Sequence, residues 1–335
     1  MTMIDRSCCT RLLRSLVLAG FGALSVPAAH AVTEMIITSE LAPTHWKTKQ
    51  MDALAADIAK RSAGRIKPAL FHSAQLFDDK GAVNAMGTGS VHMAWPASLW
   101  LEAIEPRYGV ANLLFGLRDR DMQNAAVREP LKDFLSSLIE KKGMRVLALY
   151  RTTEIAMMSN RPPLTSTSDF RGMKVRIPGG AVMREFSKLL GLNSVTMPAS
   201  EIVPGMLQGV IDGAITSPGV WQQFGPKVSV TRIPDMLIAH YSVVVDPAWL
   251  DKLEARDRDA ILGAVASLNE RQWREAIAAD QGTIDEMVKK GGKYGTLPEP
   301  ALAELRKFAE KANGEFIGKY PEEYKRFSAI MKGQK

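Results

Sequence analysis

The sequence predicts an α/β protein of two domains, and three observations lead to that class. The chain has 335 residues, and one domain usually takes about 100–200 residues. Apolar runs of strand length alternate with segments in which apolar residues recur every three or four positions. The same alternation restarts after Tyr150, and a helical stretch from about Ala255 to Lys290 is long enough to span two units. Such alternation is expected to form mainly parallel sheets covered by helices.

The first half of the chain alternates strand and helix patterns. In its first predicted helix, Met51, Leu54 and Ile58 fall on one face, as a helix packed on a sheet requires. The predicted strands are Met35–Ser39, Arg65–Phe71, Val91–Trp95 and Met144–Tyr150, and the predicted helices are His45–Ser62, Lys80–Met86 and Met122–Lys141.

The second half repeats the pattern and ends in helices. Ser168 and Asp169 are predicted to cap a short turn, and two glycines open the helix at Gly180. The predicted strands are Lys174–Ile177, Asn193–Thr196, Val210–Ile215 and Ser242–Val245; the predicted helices are Gly180–Leu190, Ser200–Gln208, Ala255–Lys290 and Glu299–Phe316. A polar tail is expected to close the chain.

Residues 1–31 have the pattern of a cleavable secretory signal peptide. Arg6, Arg11 and Arg14 supply positive charge ahead of an apolar stretch at Leu16–Val26, which is too short to span a bilayer. Ala29-His30-Ala31 then has small residues where a signal peptidase cleaves. The alternatives are a buried helix or a membrane anchor. The pattern predicts export, with a mature chain that starts near Val32.

Composition excludes several kinds of chemistry. Both cysteines, Cys8 and Cys9, lie in the predicted signal peptide, so no disulfide, thiol nucleophile or thiolate metal site is expected in the mature chain. The other histidines lie far apart in the sequence, and no cofactor is expected.

Without residues 1–31 the formal net charge falls from +7 to +5, because three arginines and one aspartate leave. These charges are scattered, which argues against nucleic-acid binding.

One segment, residues 170–218, suggests a binding site for an anion. Arg176 ends a predicted strand beside Pro178, so its guanidinium can point into a crevice and bind a carboxylate through two parallel hydrogen bonds. Gly179 and Gly180 at the following helix start can offer backbone N–H groups to an anion. The alternative for a single arginine in a strand is a surface salt bridge.

The same segment resembles the solute-binding proteins of tripartite ATP-independent periplasmic (TRAP) transporters, the DctP-like family. The family pattern G-x-K-x-R-x-P matches Gly172–Pro178, and further matches follow at Leu190, Gly191, Met197, Ser200, Glu201, Leu207, Gln208, Asp212 and Gly213. Shorter matches lie upstream, at Gly64-Arg65, Gln75-Leu76 and Ser159–Pro162. The resemblance covers nearly the whole mature chain.

The resemblance implies a periplasmic binding protein fold: two α/β domains, a ligand cleft between them and a long bridging helix. Domain I would comprise residues 32–153 and 242–281, and domain II residues 154–241 and 282–335. Such a protein closes on its solute like a hinge and delivers it to the membrane subunits of a TRAP permease. A periplasmic monomer without catalytic activity is therefore expected. The alternatives are an exported enzyme, for which no acid/base pair is evident, and a ligand receptor linked to a sensor.

The resemblance also implies site residues. The ligand-anchoring arginine of the family corresponds to Arg176. Thr216 stands where well-studied sialic acid binders have an asparagine, and Ile155 stands where they have a second arginine. The missing arginine disfavours a dicarboxylate or sialic acid.

Two classes of ligand remain after that comparison. Trp95, Trp100, Met158, Met197 and Trp221 fall near cleft segments of the family and favour an apolar or aromatic monocarboxylate, although such residues are more often core. Alternatively, Glu40 and Glu154 can hold an ammonium group, which would make the ligand a zwitterion.

Overall fold

The computed structural model describes residues 32–333, so the predicted signal peptide lies outside the described residues. Its strands are β1 (Thr33–Thr38), β2 (Ile66–Phe71), β3 (Met93–Ala94), β4 (Arg145–Glu154), β5 (Ala156–Ser159), β6 (Lys174–Ile177), β7 (Asn193–Thr196), β8 (Gly213–Thr216), β9 (Ser229–Arg232), β10 (Ile238–Val245) and β11 (Lys293–Thr296). Its helices are α1 (Trp46–Arg61), α2 (Asp79–Ala85), α3 (Ser98–Leu101), α4 (Asp119–Gln123), α5 (Ala125–Ile139), α6 (Ala181–Leu189), α7 (Ile202–Leu207), α8 (Trp221–Phe224), α9 (Pro247–Leu250), α10 (Ala255–Lys289), α11 (Glu299–Lys319) and α12 (Pro321–Lys332).

The first sheet has five strands in the order β2-β1-β3-β10-β4. Alternate residues of β1, Met35 and Ile37, point into a core that also contains Met51 and Ile58 of α1. The apolar face that the sequence predicts for α1 is therefore the face that packs on the sheet.

The second sheet has six strands in the order β11-β9-β5-β8-β6-β7. Strand β6 lies between β7 and β8 and is parallel to both. Three of the strands, β5, β9 and β11, have no counterpart in the sequence prediction. Each has only four residues, and its pairing with neighbouring strands defines it more than its own sequence pattern does.

Both sheets are mixed, so the expectation of mainly parallel sheets is wrong. Strand β10 is antiparallel to β3 and β4, and β5 is antiparallel to β8 and β9. Only Ile155 separates β4 from β5. The chain leaves the first sheet along β4 and returns to it along β10, so these two strands run in opposite directions.

Helix α10 connects the two sheets. Its 35 residues correspond to a length of about 52 Å. Ile261, Val265 and Leu268 near its start belong to the core of the first sheet, and Met287 near its end belongs to a core of the second. The long bridging helix that the sequence predicts is confirmed.

The polar tail is another helix, α12, which corrects the sequence prediction. Phe327 is its buried residue, and Tyr324, Ile330 and Met331 are partly buried against the same core. These apolar positions recur three or four residues apart, so the helical signal is present but weak. No helix among residues 32–333 is both long and apolar enough to cross a membrane.

Candidate ligand-binding site

A cavity lies where strand ends of the two sheets face each other. Strands β1, β4, β6 and β8 contribute residues at or just after their carboxyl ends, which is where ligands bind in open α/β sheets. Including part of its mouth, the cavity measures about 550 Å³. Its lining is Glu40, Leu41, His45, Asp79, Ala97, Leu99, Trp100, Thr152, Thr153, Ile155, Arg176, Pro178, Ala199, Ile215, Thr216, Ser217, Val220, Ala239 and Tyr241.

Arg176 is the cationic group of this lining, and it is only 4% exposed. Its Nε donates to the carbonyl of Met197 at 2.9 Å and its Nη1 to the carbonyl of Ile215 at 3.1 Å. These bonds fix the guanidinium plane and use two of its five N–H donors. Burial lowers the pKa of Arg176 to about 10, while Glu40 and Asp79 act to raise it. The side chain is therefore positively charged at neutral pH.

Two buried carboxyl groups, Glu40 and Asp79, also line the cavity. Asp79 accepts a hydrogen bond from the backbone N–H of Ala97 at 2.9 Å and lies 3.5 Å from the buried ammonium of Lys47. Glu40 accepts from the backbone N–H of Asp79 at 3.4 Å. The Lys47 ammonium also lies 4.0 Å from the centre of the Tyr241 ring, a cation–π contact.

Glu40 is neutral at pH 7. Burial, and next the charge of Asp79, raise its pKa to about 8, while Lys47 and Arg176 act to lower it. The positive charge of Lys47 offsets the negative charge of Asp79, and Glu40 keeps its proton. The positive charge of Arg176 is therefore not neutralised by a carboxylate of its own. The cavity is therefore suited to one negative charge at Arg176.

His45, the residue before α1, lines the cavity as well. Its Nδ1 accepts from the backbone N–H of Lys47 at 3.1 Å, and burial lowers its pKa to about 3. A neutral imidazole whose Nδ1 is an acceptor carries its proton on Nε2. A Cβ atom on Gly219 would lie 2.8 Å from that Nε2. The start of α1 and the turn that follows β8 are thus in close contact.

The structure brings four of the predicted site residues together: Glu40, Trp100, Arg176 and Thr216 all line the cavity. Ile155 also lines it, so the position of the family's second arginine faces the cavity with an apolar side chain. Met197 helps to hold Arg176 in place, because its backbone carbonyl accepts a hydrogen bond from the guanidinium.

Other predicted side chains lie in the cores beneath the sheets. Trp95 packs at 4.8 Å on the ring of Tyr150 in the core of the first sheet. Met158 and Trp221 belong to a core of the second sheet, where the Trp221 Nε1 donates to the carbonyl of Val228. Neighbouring residues of a strand point to opposite faces, so proximity in sequence does not bring these side chains to the cavity.

Glu154 lies on the other side of the β4–β5 crossing, where it lines a separate space of about 930 Å³. Its carboxylate binds the guanidinium of Arg232, with one contact of 3.0 Å, and accepts from the backbone N–H of Asp235 at 2.9 Å. The structure therefore does not bring Glu154 to the cavity.

The sequence analysis missed Asp79, Lys47, His45 and Tyr241. Asp79 had a weak signal, because two aspartates directly precede the predicted helix at Lys80. An acidic residue there indicates a helix cap, and Asp78 has that role, since it accepts from the backbone N–H of Gly81. Nothing in the sequence indicates that its neighbour faces a cavity.

The anion expected at Gly179 and Gly180 is present, but it comes from the protein. The carboxylate of Glu102 accepts from the backbone N–H of Ala181, the first residue of α6.

Within residues 32–333, no three His, Cys, Asp or Glu side chains are grouped so that they could hold a metal ion.

Residues 37–319 match the family model described as bacterial extracellular solute-binding protein, family 7. The chain belongs to this family. The match spans both sheets and the cavity between them, and it confirms the resemblance to the TRAP solute-binding proteins.

Members of family 7 with known ligands are similar to this chain along most of its length. The C4-dicarboxylate-binding periplasmic protein of Rhodobacter capsulatus is 26% identical over 249 residues, which cover 73% of this chain and 74% of that protein. A TRAP solute-binding protein of Sulfurospirillum deleyianum, solved with bound succinate, superposes with a TM-score of 0.82 at 23% identity over 90% of this chain and 99% of the other. A Bordetella pertussis solute receptor that binds pyroglutamic acid superposes with a TM-score of 0.83 at 17% identity over 90% of this chain and all of the other.

These superpositions establish the fold of this family 7 chain. The two-domain periplasmic binding protein architecture predicted from the sequence, with its cleft and its long helix, is confirmed.

Proposed function

We propose that this chain binds a small monocarboxylate whose far end carries a hydrogen-bond donor, and that it delivers this solute to a TRAP permease. The observation that carries the proposal is the buried, uncancelled charge of Arg176 at one wall of the cavity, with Glu40 and Asp79 also in the lining. A carboxylate binds the guanidinium through parallel hydrogen bonds that are strong where water is excluded.

The acidic residues of the lining argue against a second carboxylate on the ligand. Such a group would approach Asp79 and Glu40 without a cation of its own, because Lys47 already pairs with Asp79. A neutral Glu40 can accept a hydrogen bond from an N–H or O–H group. Pyroglutamic acid, the ligand of the Bordetella pertussis receptor, combines one carboxylate with one ring N–H and represents this class.

A second candidate is a more apolar or aromatic monocarboxylate. Leu99, Trp100, Ile155 and Ile215 give the cavity substantial apolar surface. A solute of that kind would use Arg176 in the same way and would leave Glu40 protonated.

A zwitterionic ligand differs from both candidates in its pH dependence. An ammonium group at Glu40 favours the ionised carboxylate, so its binding would tighten as pH rises toward about 8, the pKa of Glu40. Binding of a neutral donor or of an apolar group would stay level over that range and weaken above it. Titration calorimetry between pH 6 and 9 separates the two behaviours.

The proposal includes the cellular setting and the division into domains. Export through a signal peptide at residues 1–31 would place a monomeric receptor in the periplasm, where it hands its solute to the permease without altering it. The proposed domains are residues 32–153 with 242–281, and 154–241 with 282–335, and the cleft closes on the solute by hinge motion. A receptor linked to a sensor would use the same cleft.

The test combines identification of the solute with removal of its anchor. Mass spectrometry of the purified protein names any solute that co-purifies, and pyroglutamate, succinate and D-glucuronate serve as added probes. At a hundredfold excess over Kd, a bound solute stabilises the protein by about 2.7 kcal/mol. We expect Arg176→Ala to abolish this thermal stabilisation while leaving the fold of the solute-free protein intact.

Arg171→Ala is the matched control, because that arginine is exposed and lies just before β6. It should keep the full stabilisation. If Arg176→Ala binds a probe as tightly as the wild type, the carboxylate site at Arg176 is wrong. Chemical conversion of a probe during incubation would instead favour an enzyme.

A further inference from the structure

A buried carboxylate of the first domain caps a helix of the second. Glu102 follows α3 and is only 6% exposed. Its Oε1 accepts from the backbone N–H of Ala181 at the start of α6. The first N–H groups of a helix have no partner within the helix, and its N-terminus attracts negative charge. Glu102, which belongs to the other domain, supplies both the hydrogen-bond acceptor and the negative charge.

The first domain holds this carboxylate in position. Asn112 donates from Nδ2 to the other oxygen of Glu102 at 3.3 Å. The hydroxyl of Ser98 in turn donates to Oδ1 of Asn112 at 2.6 Å. All three side chains are buried, so Glu102 is oriented by its own domain before it reaches α6.

Close approach of the two domains at this point depends on a glycine. Gly180 has a φ of +88°, and a Cβ atom there would lie 2.7 Å from Cδ2 of Leu99 and 3.1 Å from Oε2 of Glu102. A side chain at this position would strain the backbone, because φ is positive, and would displace the end of the Leu99 side chain. The glycine that the sequence places at the helix start therefore allows the contact with Glu102.

On both sides of the contact, neighbouring residues of the same chain segment line the cavity. Leu99 and Trp100, which precede Glu102 in the same short segment, line the cavity. So do Arg176 and Pro178, which precede α6. Movement of one domain toward the other therefore brings Glu102 to α6 and the cavity walls to the solute at the same time.

We propose that Glu102 is a positioning residue that latches the closed cleft: its carboxylate binds the start of α6 when the domains close and leaves it when they open. The proposal rests on the proposed function, since it assumes hinge closure on a solute. Glu102 does not line the cavity, so it acts on affinity through closure and not through contact with the solute.

Two measurements test the latch. Amide hydrogen exchange is recorded at Ala181 in the wild type, without and with saturating pyroglutamate, succinate or D-glucuronate. Exchange at Ala181 should be fast without solute and slow with a bound probe. For Glu102→Ala we expect roughly tenfold to a hundredfold weaker affinity for that probe, mainly through faster dissociation. The melting temperature of the solute-free variant should stay near that of the wild type.

Two further variants make the result specific. Glu315→Gln is the matched control, because this exposed glutamate borders the same surface pocket as Glu102, and it should leave affinity unchanged. Glu102→Gln keeps an acceptor oxygen and should recover part of the affinity lost in Glu102→Ala.

The latch is overturned if Ala181 is equally protected without solute, or if Glu102→Ala lowers the melting temperature of the solute-free protein while the affinity of the folded fraction stays unchanged. Failure of the proposed function is a separate outcome, in which no probe stabilises the wild type. The exchange rate at Ala181 in the solute-free wild type then decides the latch alone: fast exchange supports it, and slow exchange excludes it.

Discussion

Single residues carry the chemistry of the cavity, and their roles depend on how each charge is balanced. Arg176 could be selected from the sequence because it matches the arginine of the family motif, and Glu40 because it ends the first predicted strand. Their protonation states could not be selected in that way. The raised pKa of Glu40 comes first from burial and next from the charge of Asp79, which lies 39 positions along the chain.

Glu40 makes the stability of the protein depend on pH. Its pKa is about 8 in the folded protein and 4.5 ordinarily, so between these values the folded chain retains a proton that the unfolded chain has released. Glu40 therefore contributes a fall in stability as pH rises through this window, by at most about 1.4 kcal/mol per pH unit. His45, whose pKa is lowered to about 3, contributes in the opposite direction below pH 6.5. Glu40→Gln should remove the contribution of Glu40, so between pH 5 and 8 the variant should lose less stability than the wild type, or gain more, as urea unfolding at pH 5, 6, 7 and 8 would reveal.

Glu34→Gln is the control, since Glu34 is an exposed residue of β1, the strand that Glu40 follows. That variant should keep the wild-type slope. Equal slopes in the wild type and in Glu40→Gln would mean that Glu40 is already ionised in the folded protein.

At the scale of elements, helix α10 protects the edge of the first sheet. Strand β4 is the outer strand of that sheet, and its Arg151 has backbone groups on the open side. The side chain of Gln272 accepts from the Arg151 N–H at 2.6 Å and donates to the Arg151 carbonyl at 2.9 Å. A side-chain amide thus replaces a neighbouring strand at this point.

Gln272→Ala should destabilise the protein markedly. Gln272 is 1% exposed, and its loss leaves a buried N–H and a buried carbonyl of Arg151 unpaired, at about 1–3 kcal/mol each. We expect the free energy of unfolding to drop by about 2–4 kcal/mol in urea titration. The exposed Gln281→Ala on the same helix should change it by no more than about 0.5 kcal/mol. Similar values for the two variants would show that the amide of Gln272 does not stabilise β4.

Most long elements could be predicted from the sequence, and so could the short strands β6 and β7, but three other short strands could not. The apolar stripe of α1 and the length of α10 are local properties of the chain. Strands β5, β9 and β11 have four residues each, and their pairing partners define them. Helix α12 was missed because Phe327 is its one fully buried residue, so its pattern is mostly polar.

At the scale of the whole molecule, the two domains meet around the cavity at a few close contacts. One joins His45, at the start of α1, to Gly219, in the turn after β8. In the hinge closure proposed above, an atom added at this contact would hold the two domains apart.

Gly219→Ala should weaken solute binding without unfolding the protein. The added Cβ would lie 2.8 Å from Nε2 of His45, which is closer than packed atoms tolerate, so the closed state becomes less favourable. Affinity for the probe that stabilises the wild type should fall roughly tenfold, and the melting temperature without solute should stay near the wild-type value. Calorimetry and thermal unfolding measure the two effects.

Gly282→Ala is the comparison, because a Cβ at this position of α10 meets open space. It should leave affinity unchanged and raise stability by up to about 1 kcal/mol. Wild-type affinity in Gly219→Ala would show that closure does not bring this turn against His45.

The sequence by itself determined the α/β class, the long helix and the family, and it singled out Arg176 as the candidate anchoring residue. All of these depend on local patterns or on short motifs, which can be recognised in the amino-acid sequence alone. The tertiary structure alone decided which side chains share the cavity, that Glu40 is protonated, that Glu154 faces away and that Glu102 occupies the start of α6. The physical reason is that burial and pairing are properties of groups brought together from distant parts of the chain.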